Sequence, residues 1–394
     1  MAITLSDRVN AVKPSATLAI TAKAKALKDA GKKVIGLAAG EPDFDTPEHI
    51  KQAAVAAIAQ GQTRYTAVAG TTELRQAVAD KFLRDNQLEY SIDQILVSSG
   101  GKQSFFNLCQ ALLNKGDEVI IAAPYWVSYP DMVLLADGKP VIIEAGIKQQ
   151  FKITVEQLQA AITPKTRLLV LNSPSNPTGV CYSKAELQEI GALLQEYPDI
   201  LIASDDMYEH ILWVDEPFAT IAQVCPELYD RTITMNGVSK AYAMTGWRIG
   251  YAAGPKDLIK AMTKVQSQST SNPCSISQAA ALAALNGSQE CIKGMLTAFK
   301  ERHDYIVKEI NTIKGISALE SQGAFYCFFD ANELIQNMDG IEDDVQLCDF
   351  ILEKAEIALV PGTAFGAPGY LRLSFATSME NLQQSMDRLH TLFS

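Results

Sequence analysis

The chain has 394 residues, and its 47% hydrophobic and 20% charged residues are typical of a folded globular protein rather than a disordered one. Its 34 Lys and Arg against 45 Asp and Glu give a net charge of −11, which argues against nucleic acid or a membrane surface as a partner. No apolar run approaches the about 20 residues of a membrane span, and the first residues show no secretory signal.

Helical and strand patterns alternate between residues 46 and 284. Thr46 and Pro47 are typical of an N-cap and a first-turn proline, and the apolar residues behind them recur at helical spacing. Two capping-box patterns, starting at Thr154 and Ser183, predict further helix starts. Seven short apolar runs predict strands buried on both faces, at residues 95–97, 119–121, 141–143, 168–171, 200–203, 232–235 and 249–252. The alternation predicts an α/β domain with a mostly parallel seven-stranded sheet between layers of helices.

The pattern changes after about residue 285. A helix is predicted over 288–313, followed by strands near 324–329, 358–360 and 371–375 and by a closing helix. These elements predict a smaller α+β domain. We therefore expect three parts: an N-terminal segment over 1–45 that packs with the small domain or a partner subunit, a large ligand-binding domain over 46–287 and a small C-terminal domain over 288–394.

Chemically useful residues follow the predicted strands, and open α/β sheets bind ligands at that edge. Gly100 and Gly101 follow the first strand and open a helix, so their backbone N–H groups can meet an anion; a plain strand-to-helix turn is the alternative. The loop does not match the Walker A or the G-x-G-x-x-G pattern. Asn176 lies between prolines after the fourth strand and is well placed as an amide donor.

Four further residues follow the next two strands. Asp205 ends a nearly continuous apolar run and would be costly to bury unless a cation or a donor met it; a helix N-cap is the alternative. Tyr208 lies three residues later. Lys240 follows a buried strand, where partial desolvation lowers the pKa of an amine and makes it nucleophilic. Arg248 adds a permanent cation suited to phosphate.

Together these residues match the needs of pyridoxal phosphate. The aldehyde of this cofactor needs a lysine, its ring nitrogen needs a carboxylate, and its phosphate needs an arginine and a helix N-terminus.

Five motifs then carry a family resemblance. They are S-K-A-Y-A-M-T-G-W-R-I-G-Y at 239–251, N-S-P-S-N-P-T-G at 172–179, A-G-E-P-D-F at 39–44, P-Y-W-V-S-Y-P at 124–130 and Y-L-R-L-S at 370–374. With them the chain resembles the class I aminotransferases of PLP fold type I, and most of all the bacterial aspartate aminotransferases of subgroup Ib. The likeness runs from about residue 12 to the last helix.

The resemblance implies a role for each matching residue. Lys240 would hold the cofactor and move the substrate proton, and Arg372 would bind the substrate α-carboxylate beside Gly40. The cofactor ring would contact Trp126, Asn176, Asp205 and Tyr208, of which Trp126 and Asn176 would also border the substrate. The phosphate would be bound by Gly100, Gly101, Ser239 and Arg248, with Lys102 nearby and Tyr65 contributed by a partner subunit. The family pattern therefore implies a homodimer with shared sites.

Two departures from other aspartate enzymes stand out. Those enzymes bind the distal carboxylate with a partner arginine from the stretch that matches 266–273, but this stretch holds no Arg here. The resemblance to subgroup Ib implies that Lys102 binds the distal carboxylate instead, with Ser15 and Thr17 nearby. Such a site also suits prephenate. Gly237 stands where other members have a phosphate-binding Ser, which puts one phosphate contact in doubt.

The leading hypothesis is an aspartate:2-oxoglutarate aminotransferase that works by ping-pong transfer. The alternatives are dual aspartate and prephenate specificity, a PLP β-lyase or synthase of the same fold, an NAD-dependent dehydrogenase and a PLP-binding regulator without enzyme activity. The 7 Cys are scattered and none is in a C-x-x-C pair, so we expect reduced thiols in a cytoplasmic protein and no metal site. Small amino and oxo acids are the expected partners, without nucleic acid or membrane.

Overall fold

The computed structural model describes residues 3–14 and 16–394. Its strands in chain order are β1 (Ile35–Gly36), β2 (Ile95–Ser98), β3 (Glu118–Ala123), β4 (Lys139–Glu144), β5 (Thr166–Asn172), β6 (Leu201–Asp205), β7 (Thr232–Gly237), β8 (Gly250–Ala253), β9 (Ser317–Ala318), β10 (Tyr326–Asp330), β11 (Ile357–Ala358), β12 (Val360–Pro361) and β13 (Tyr370–Ser374). Its helices are α1 (Asp7–Ala11), α2 (Ala16–Asp29), α3 (Glu48–Ala59), α4 (Thr72–Asn86), α5 (Gly101–Leu112), α6 (Ser128–Leu135), α7 (Val155–Ala161), α8 (Lys184–Gln195), α9 (Ile221–Val224), α10 (Lys256–Ser267), α11 (Ser275–Asn286), α12 (Glu290–Ile310), α13 (Asn332–Gln336), α14 (Asp344–Lys354) and α15 (Met379–Phe393).

The seven runs predicted as strands form one sheet. Its strand order is β2-β8-β7-β6-β5-β3-β4. Strand β8 is antiparallel to both of its neighbours, and the remaining pairs are parallel. This arrangement confirms the predicted α/β fold with a mostly parallel sheet, and it gathers the ends of β5, β6 and β7 at one edge.

Helices cover both faces of the sheet, which explains why its strands are apolar without alternation. On β5, Leu168 and Val170 pack with helices α5, α6 and α10, whereas Leu169 and Leu171 pack on the other face with α7 and α8. All four side chains are 3% exposed or less. Consecutive residues of one strand therefore contribute to two separate cores.

Local signals set several helix starts. Thr154 and Ser183 each begin a complete capping box, as predicted. The prediction that Thr46 caps α3 is wrong, because no side chain caps this helix. The Thr46 hydroxyl instead donates to the Ala243 carbonyl at 2.7 Å and accepts from Trp247 Nε1 at 3.0 Å, so tertiary contacts replace the local cap.

A second, antiparallel sheet has the order β12-β13-β10-β9 and packs against α12, α14 and α15. The helix predicted over 288–313 is α12, and the closing helix is α15. Strand β1 pairs in parallel with β11, which links the N-terminal segment to this part of the chain. The boundaries at 45/46 and 287/288 stay a proposal. Among the described residues, no helix combines the length and apolarity that crossing a membrane requires.

Candidate active site

A cavity of about 480 Å³ opens at the carboxyl ends of β5, β6 and β7, beside the start of α5. Most of the residues predicted for the site border it: Thr17, Gly40, Gly101, Lys102, Trp126, Asn176, Asp205, Tyr208, Ser239, Lys240, Arg248 and Arg372. Gly100 does not border the cavity itself, but it lies directly beside Arg248, which does. Ser15 lies outside the described residues. The fold thus brings together residues more than 300 positions apart in sequence.

Asp205 supplies the carboxylate of the cavity. The Tyr129 hydroxyl donates to its Oδ2 at 2.5 Å, and the Met207 backbone N–H donates to its Oδ1 at 3.3 Å. Burial raises the pKa of this carboxyl above its usual range, although both donors favour the charged form. A cationic ring nitrogen beside Asp205 would compensate the buried charge, so this wall fits a protonated pyridine.

Lys240 supplies the amine of the cavity. Its Nζ donates to the backbone carbonyl of Gly40 and lies 5.8 Å from the centroid of the Tyr208 ring. Burial and the positive charge of Arg372 lower the pKa of Lys240 to about 8. Part of the amine is therefore neutral near neutral pH, and the neutral form is the one that attacks an aldehyde.

The start of α5 forms an anion-binding corner. Gly100 has a φ of +91°, and a Cβ on it would run into the Arg248 guanidinium. A Cβ on Gly101 would come within 2.5 Å of Met207 Cε, and one on Gly250 would overlap the Gly101 backbone. No side chain therefore separates the first helix N–H groups from the arginine. A phosphate placed here can contact both and lies at the positive end of the helix dipole.

Arg248 is held in place by backbone carbonyls. It has a φ of +56°, and its guanidinium donates to the Thr245 carbonyl at 2.9 Å and to the Ser99 carbonyl at 3.3 Å. Gly237, which stands where other members of the resembled family have a phosphate-binding Ser, is packed so closely that a Cβ would lie 3.0 Å from the Cα of Gly250. That strand position is filled by backbone and has no room for a hydroxyl without a shift. The cavity thus has an amine, a carboxylate and an anion site, and it fits pyridoxal phosphate.

Arg372 is a second anion-binding group, on β13 of the other sheet. The residue is 2% exposed, and it donates to Asn176 Oδ1 and to the Ala38 carbonyl, each at 2.8 Å. Both acceptors are neutral, and the buried Nε has no partner among the described residues. Since an uncompensated buried cation is costly, this guanidinium is suited to a carboxylate ligand.

Lys102 lies in the first turn of α5. Its Nζ is 5.2 Å from the centroid of the Trp126 ring, a cation–π distance. Burial and repulsion by Arg248 lower the pKa of Lys102. Thr17 and Thr21 of α2 border the same cavity as Lys102.

Sequence reasoning missed three residues that organise the site. Tyr129 bonds Asp205, and Asn172 accepts from the Asn176 N–H at 2.9 Å while donating to the Asp205 carbonyl at 2.9 Å. Tyr129 and Asn172 belong to two of the motifs that carry the family resemblance, and this membership is a signal that could have identified both residues. Tyr326, whose hydroxyl lies 2.9 Å from that of Tyr208, gave no signal because it reads as a core residue of a strand.

Tyr65 does not border this cavity. It is 92% exposed, although it is a large aromatic residue. Within one chain Tyr65 therefore has no part in the site, and its expected role in a partner's site stays a prediction.

Comparisons with known proteins agree with this geometry. The family model described as aminotransferase class I and II matches residues 32–389. An aspartate/prephenate aminotransferase of Nitrosomonas europaea is 59% identical over 395 residues, covering 99% of this chain and 100% of the relative. An aspartate aminotransferase of Rhizobium meliloti is 49% identical over 388 residues, covering 98% of this chain and 95% of the relative.

Solved structures share the fold over the full length. The crystal structure of the Rhizobium meliloti aspartate aminotransferase has a TM-score of 0.95 at 48% identity. The match covers 99% of this chain and 98% of the Rhizobium chain. The Thermus thermophilus aspartate aminotransferase with maleate has a TM-score of 0.93 at 46% identity. The match covers 99% of this chain and 100% of the Thermus chain.

Proposed function

This chain belongs to the class I and II aminotransferases, which depend on pyridoxal phosphate, and we propose that it transfers the amino group of aspartate to 2-oxoglutarate. One observation carries the choice of substrates: of the four described cationic side chains that border the cavity, Lys240 and Arg248 are assigned to the cofactor, so Arg372 on β13 and Lys102 on α5 remain free for the substrate. Aspartate and 2-oxoglutarate each have two carboxylates, so one pocket serves both half-reactions. The Thermus thermophilus relative has been solved with maleate, which is also a dicarboxylate.

The cofactor, when bound, supplies an electron sink that makes the Cα–H bond of an amino acid acidic. We assign its binding to the residues of the cavity wall: Asp205 at the ring nitrogen, Tyr208 and Asn176 at the ring oxygen, Trp126 on the ring face, and Gly100, Gly101, Ser239 and Arg248 at the phosphate. Lys240 holds the cofactor at rest. The Lys240 amine, once free, would accept the proton from the substrate Cα and would then act as the acid that gives this proton back.

Substrate orientation is the task of the two free cations. Arg372 can bind the α-carboxylate through two parallel N–H donors, a geometry that a lysine cannot supply. Lys102 meets the distal carboxylate as a single point charge on a flexible stem. The first interaction fixes the Cα–H bond beside Lys240, and the second selects dicarboxylates over neutral amino acids.

Prephenate as an alternative amino acceptor is a second candidate function. The relative from Nitrosomonas europaea is named aspartate/prephenate aminotransferase. A point charge such as Lys102 imposes less geometry on its ligand than a guanidinium fork, which favours a broader range of acids.

The expected homodimer is also part of the proposal. The supporting observation is Tyr65, an aromatic side chain that is 92% exposed in one chain and that the family pattern assigns to a partner's phosphate site. The cytoplasmic location is inferred from the scattered cysteines, all 7 of which are free thiols.

A substrate panel tests the proposal directly. The purified chain, loaded with pyridoxal phosphate, is incubated with aspartate and 2-oxoglutarate, and then with aspartate and prephenate. Formation of oxaloacetate and glutamate in the first mixture is the expected result, and amination of prephenate in the second would support dual specificity. Failure of aspartate to donate its amino group, together with release of pyruvate, ammonia and sulfide from cysteine without an acceptor, would contradict transamination of aspartate and indicate a β-lyase.

A further inference from the structure

A buried network of charged and amide side chains lies behind the strands that carry the site. Its centre is Glu209, in the turn after β6, whose side chain is 3% exposed. Glu209 pairs with Lys81 of α4, which is 1% exposed. The Glu209 Oε2 accepts from Asn86 Nδ2 at 2.7 Å, and its Oε1 accepts from Asn236 Nδ2 at 2.9 Å. One carboxylate thus joins α4, β7 and its own turn.

The network is closed by further hydrogen bonds. Lys81 Nζ donates to Asn86 Oδ1 at 2.7 Å and lies 4.9 Å from the centroid of the Phe82 ring. Burial alone would raise the pKa of Glu209, but Lys81, His210 and Asn86 outweigh it and hold the pKa below its usual range. Glu209 is therefore a carboxylate at neutral pH, with its donors in place.

A metal ion is a poorer explanation of the same cluster. Asp85, Glu209 and His210 offer ligand atoms within 4.8 Å of one another. The ammonium of Lys81 already provides the positive charge at Glu209, however, and it would repel a cation there. The group is a charge-paired network, in which His210 Nε2 lies 3.2 Å from Glu209 Oε1.

Stability is also a poor explanation. A buried ion pair gains little over an apolar pair of similar size, because removing both charges from water costs about as much as their attraction returns. The position of Glu209 suggests another role. It follows Asp205 by four residues and Tyr208 by one, and its partner Asn236 precedes Lys240 by four. The carboxylate therefore links the two chain segments that carry the cofactor-facing groups.

Several other contacts fix the same turn, among them the bonds of Tyr129 and Asn172 to Asp205 and the bond between Tyr208 and Tyr326. Two backbone bonds add to them. The Asp206 N–H donates to the Met235 carbonyl at 2.9 Å, and the Glu209 N–H donates to the Asp206 carbonyl at 3.0 Å. The first bond attaches the start of the turn to β7. The Glu209–Asn236 bond attaches its end to the same strand, so that the turn is tied to β7 at two points.

We infer that Glu209 is a positioning residue, which holds the turn carrying Asp205 and Tyr208 at a fixed place relative to the strand leading to Lys240. This inference deepens the proposed function, on which the roles of Asp205, Tyr208 and Lys240 rest. The link acts through geometry and not through charge: an uncharged side chain that accepts the same hydrogen bond from Asn236 can replace the carboxylate, provided that Lys81 is neutralised as well.

A matched pair of double variants tests this statement. Lys81→Met with Glu209→Gln removes both charges and keeps an acceptor for Asn236. Lys81→Met with Glu209→Ala removes the charges and the acceptor, so it leaves no unpaired buried ammonium that could prevent folding. Asn236→Ala breaks the link from the other side. Tyr90→Phe is the control, because it removes a buried hydroxyl that lies 3.2 Å from the hydroxyl of Thr234 on β7, without touching the turn.

The first readout is amide hydrogen exchange of the full chain without cofactor, followed over residues 205–211 and 236–240. We expect exchange in these segments to accelerate about tenfold in the Ala double variant and in Asn236→Ala, and to stay near the wild-type rate in the Gln double variant and in Tyr90→Phe. Equal exchange in the Ala and Gln double variants would overturn the inference.

The second readout uses the loaded enzyme. We expect the Ala double variant to release pyridoxal phosphate about tenfold faster and to shift the pH midpoint of the cofactor's visible absorbance, while the Gln double variant keeps both values. A lower melting temperature with both values unchanged would mean a structural role only and would contradict the inference. If the wild-type chain did not transaminate, the proposed function would fail, and the exchange result would still decide whether Glu209 holds the turn.

Discussion

The hydroxyl of Tyr129 donates a 2.5 Å hydrogen bond to the Oδ2 of Asp205, across 76 positions of sequence. This bond opposes the rise in the pKa of Asp205 that burial causes. Tyr129 therefore helps to keep the carboxylate charged at the position proposed for the ring nitrogen.

We expect Tyr129→Phe to lower kcat for aspartate about tenfold to hundredfold, because a hydrogen bond to a charged group contributes about 1.5–3 kcal/mol. Steady-state kinetics at saturating cofactor measure the effect. Tyr182→Phe removes another buried hydroxyl, which accepts from the Ile153 N–H at 3.0 Å outside the cavity. This control should retain near wild-type kcat, and an equal loss in both variants would remove the special role of Tyr129.

Lys240→Ala should lower the rate of transamination by several orders of magnitude while the fold is retained, because the Lys240 amine is the group assigned to hold the cofactor and move the proton. Lys240→Arg keeps the charge but cannot attack an aldehyde, so it should be equally inactive. Activity and circular dichroism together check the prediction. Wild-type turnover in either variant would contradict the assignment.

Lys102→Ala should lower kcat/KM for aspartate about tenfold to hundredfold, and it should change kcat/KM for alanine little, because only the distal charge is lost. Arg372→Lys is the matched control. It should impair both amino acids alike, since both have an α-carboxylate. If Lys102→Ala impaired aspartate and alanine equally, Lys102 would have no part in side-chain recognition.

The pKa of about 8 for Lys240 predicts how fast the cofactor-free chain takes up pyridoxal phosphate. The pKa of this amine is lowered, so its neutral form predominates above about pH 8 and its charged form below. The rate at which visible absorbance develops should therefore rise with pH and level off above about pH 8. Stopped-flow mixing at several pH values measures it. A rate still rising steeply at pH 10 would indicate an amine with an ordinary pKa.

Hybrid dimers test whether Tyr65 acts across an interface. In a hybrid of wild-type and Lys240→Ala subunits, the site that contains Lys240 has Tyr65 available from its partner. In a hybrid with the Lys240→Ala/Tyr65→Phe double variant, the same site lacks that hydroxyl. We expect weaker cofactor binding at the Lys240 site of the second hybrid, by about threefold to tenfold. Equal affinities would place Tyr65 outside the partner's site.

Much of the fold could be predicted, because fully buried parallel strands are short apolar runs and every one of the seven was visible. Strand ends then located the site, since Asp205 and Lys240 are polar residues directly after such runs. Contacts between distant segments could not be predicted this way. Arg372 meets Asn176 across 196 positions and two sheets, and only the family motif indicated it.

The remaining misses have a common physical cause. Thr46 has the composition of a helix cap, but the tertiary partners Ala243 and Trp247 compete for its hydroxyl. Lys81 lies on a helix and reads as a solvent-exposed residue, yet Glu209 makes its burial possible. In both cases the decisive partner lies more than 100 positions away, where local patterns carry no information.

The reversed direction of β8 has a consequence for how this enzyme can vary. Because β7 ends and β8 begins at the same edge of the sheet, the chain between them leaves from that edge and returns to it, and it brings Ser239, Lys240, Thr245 and Arg248 to the cavity. Lys240 and Arg248 therefore lie on the same short connection, and a single residue inserted between them would change the distance between the amine and the phosphate site. The number of residues in this connection is therefore part of the geometry of the site.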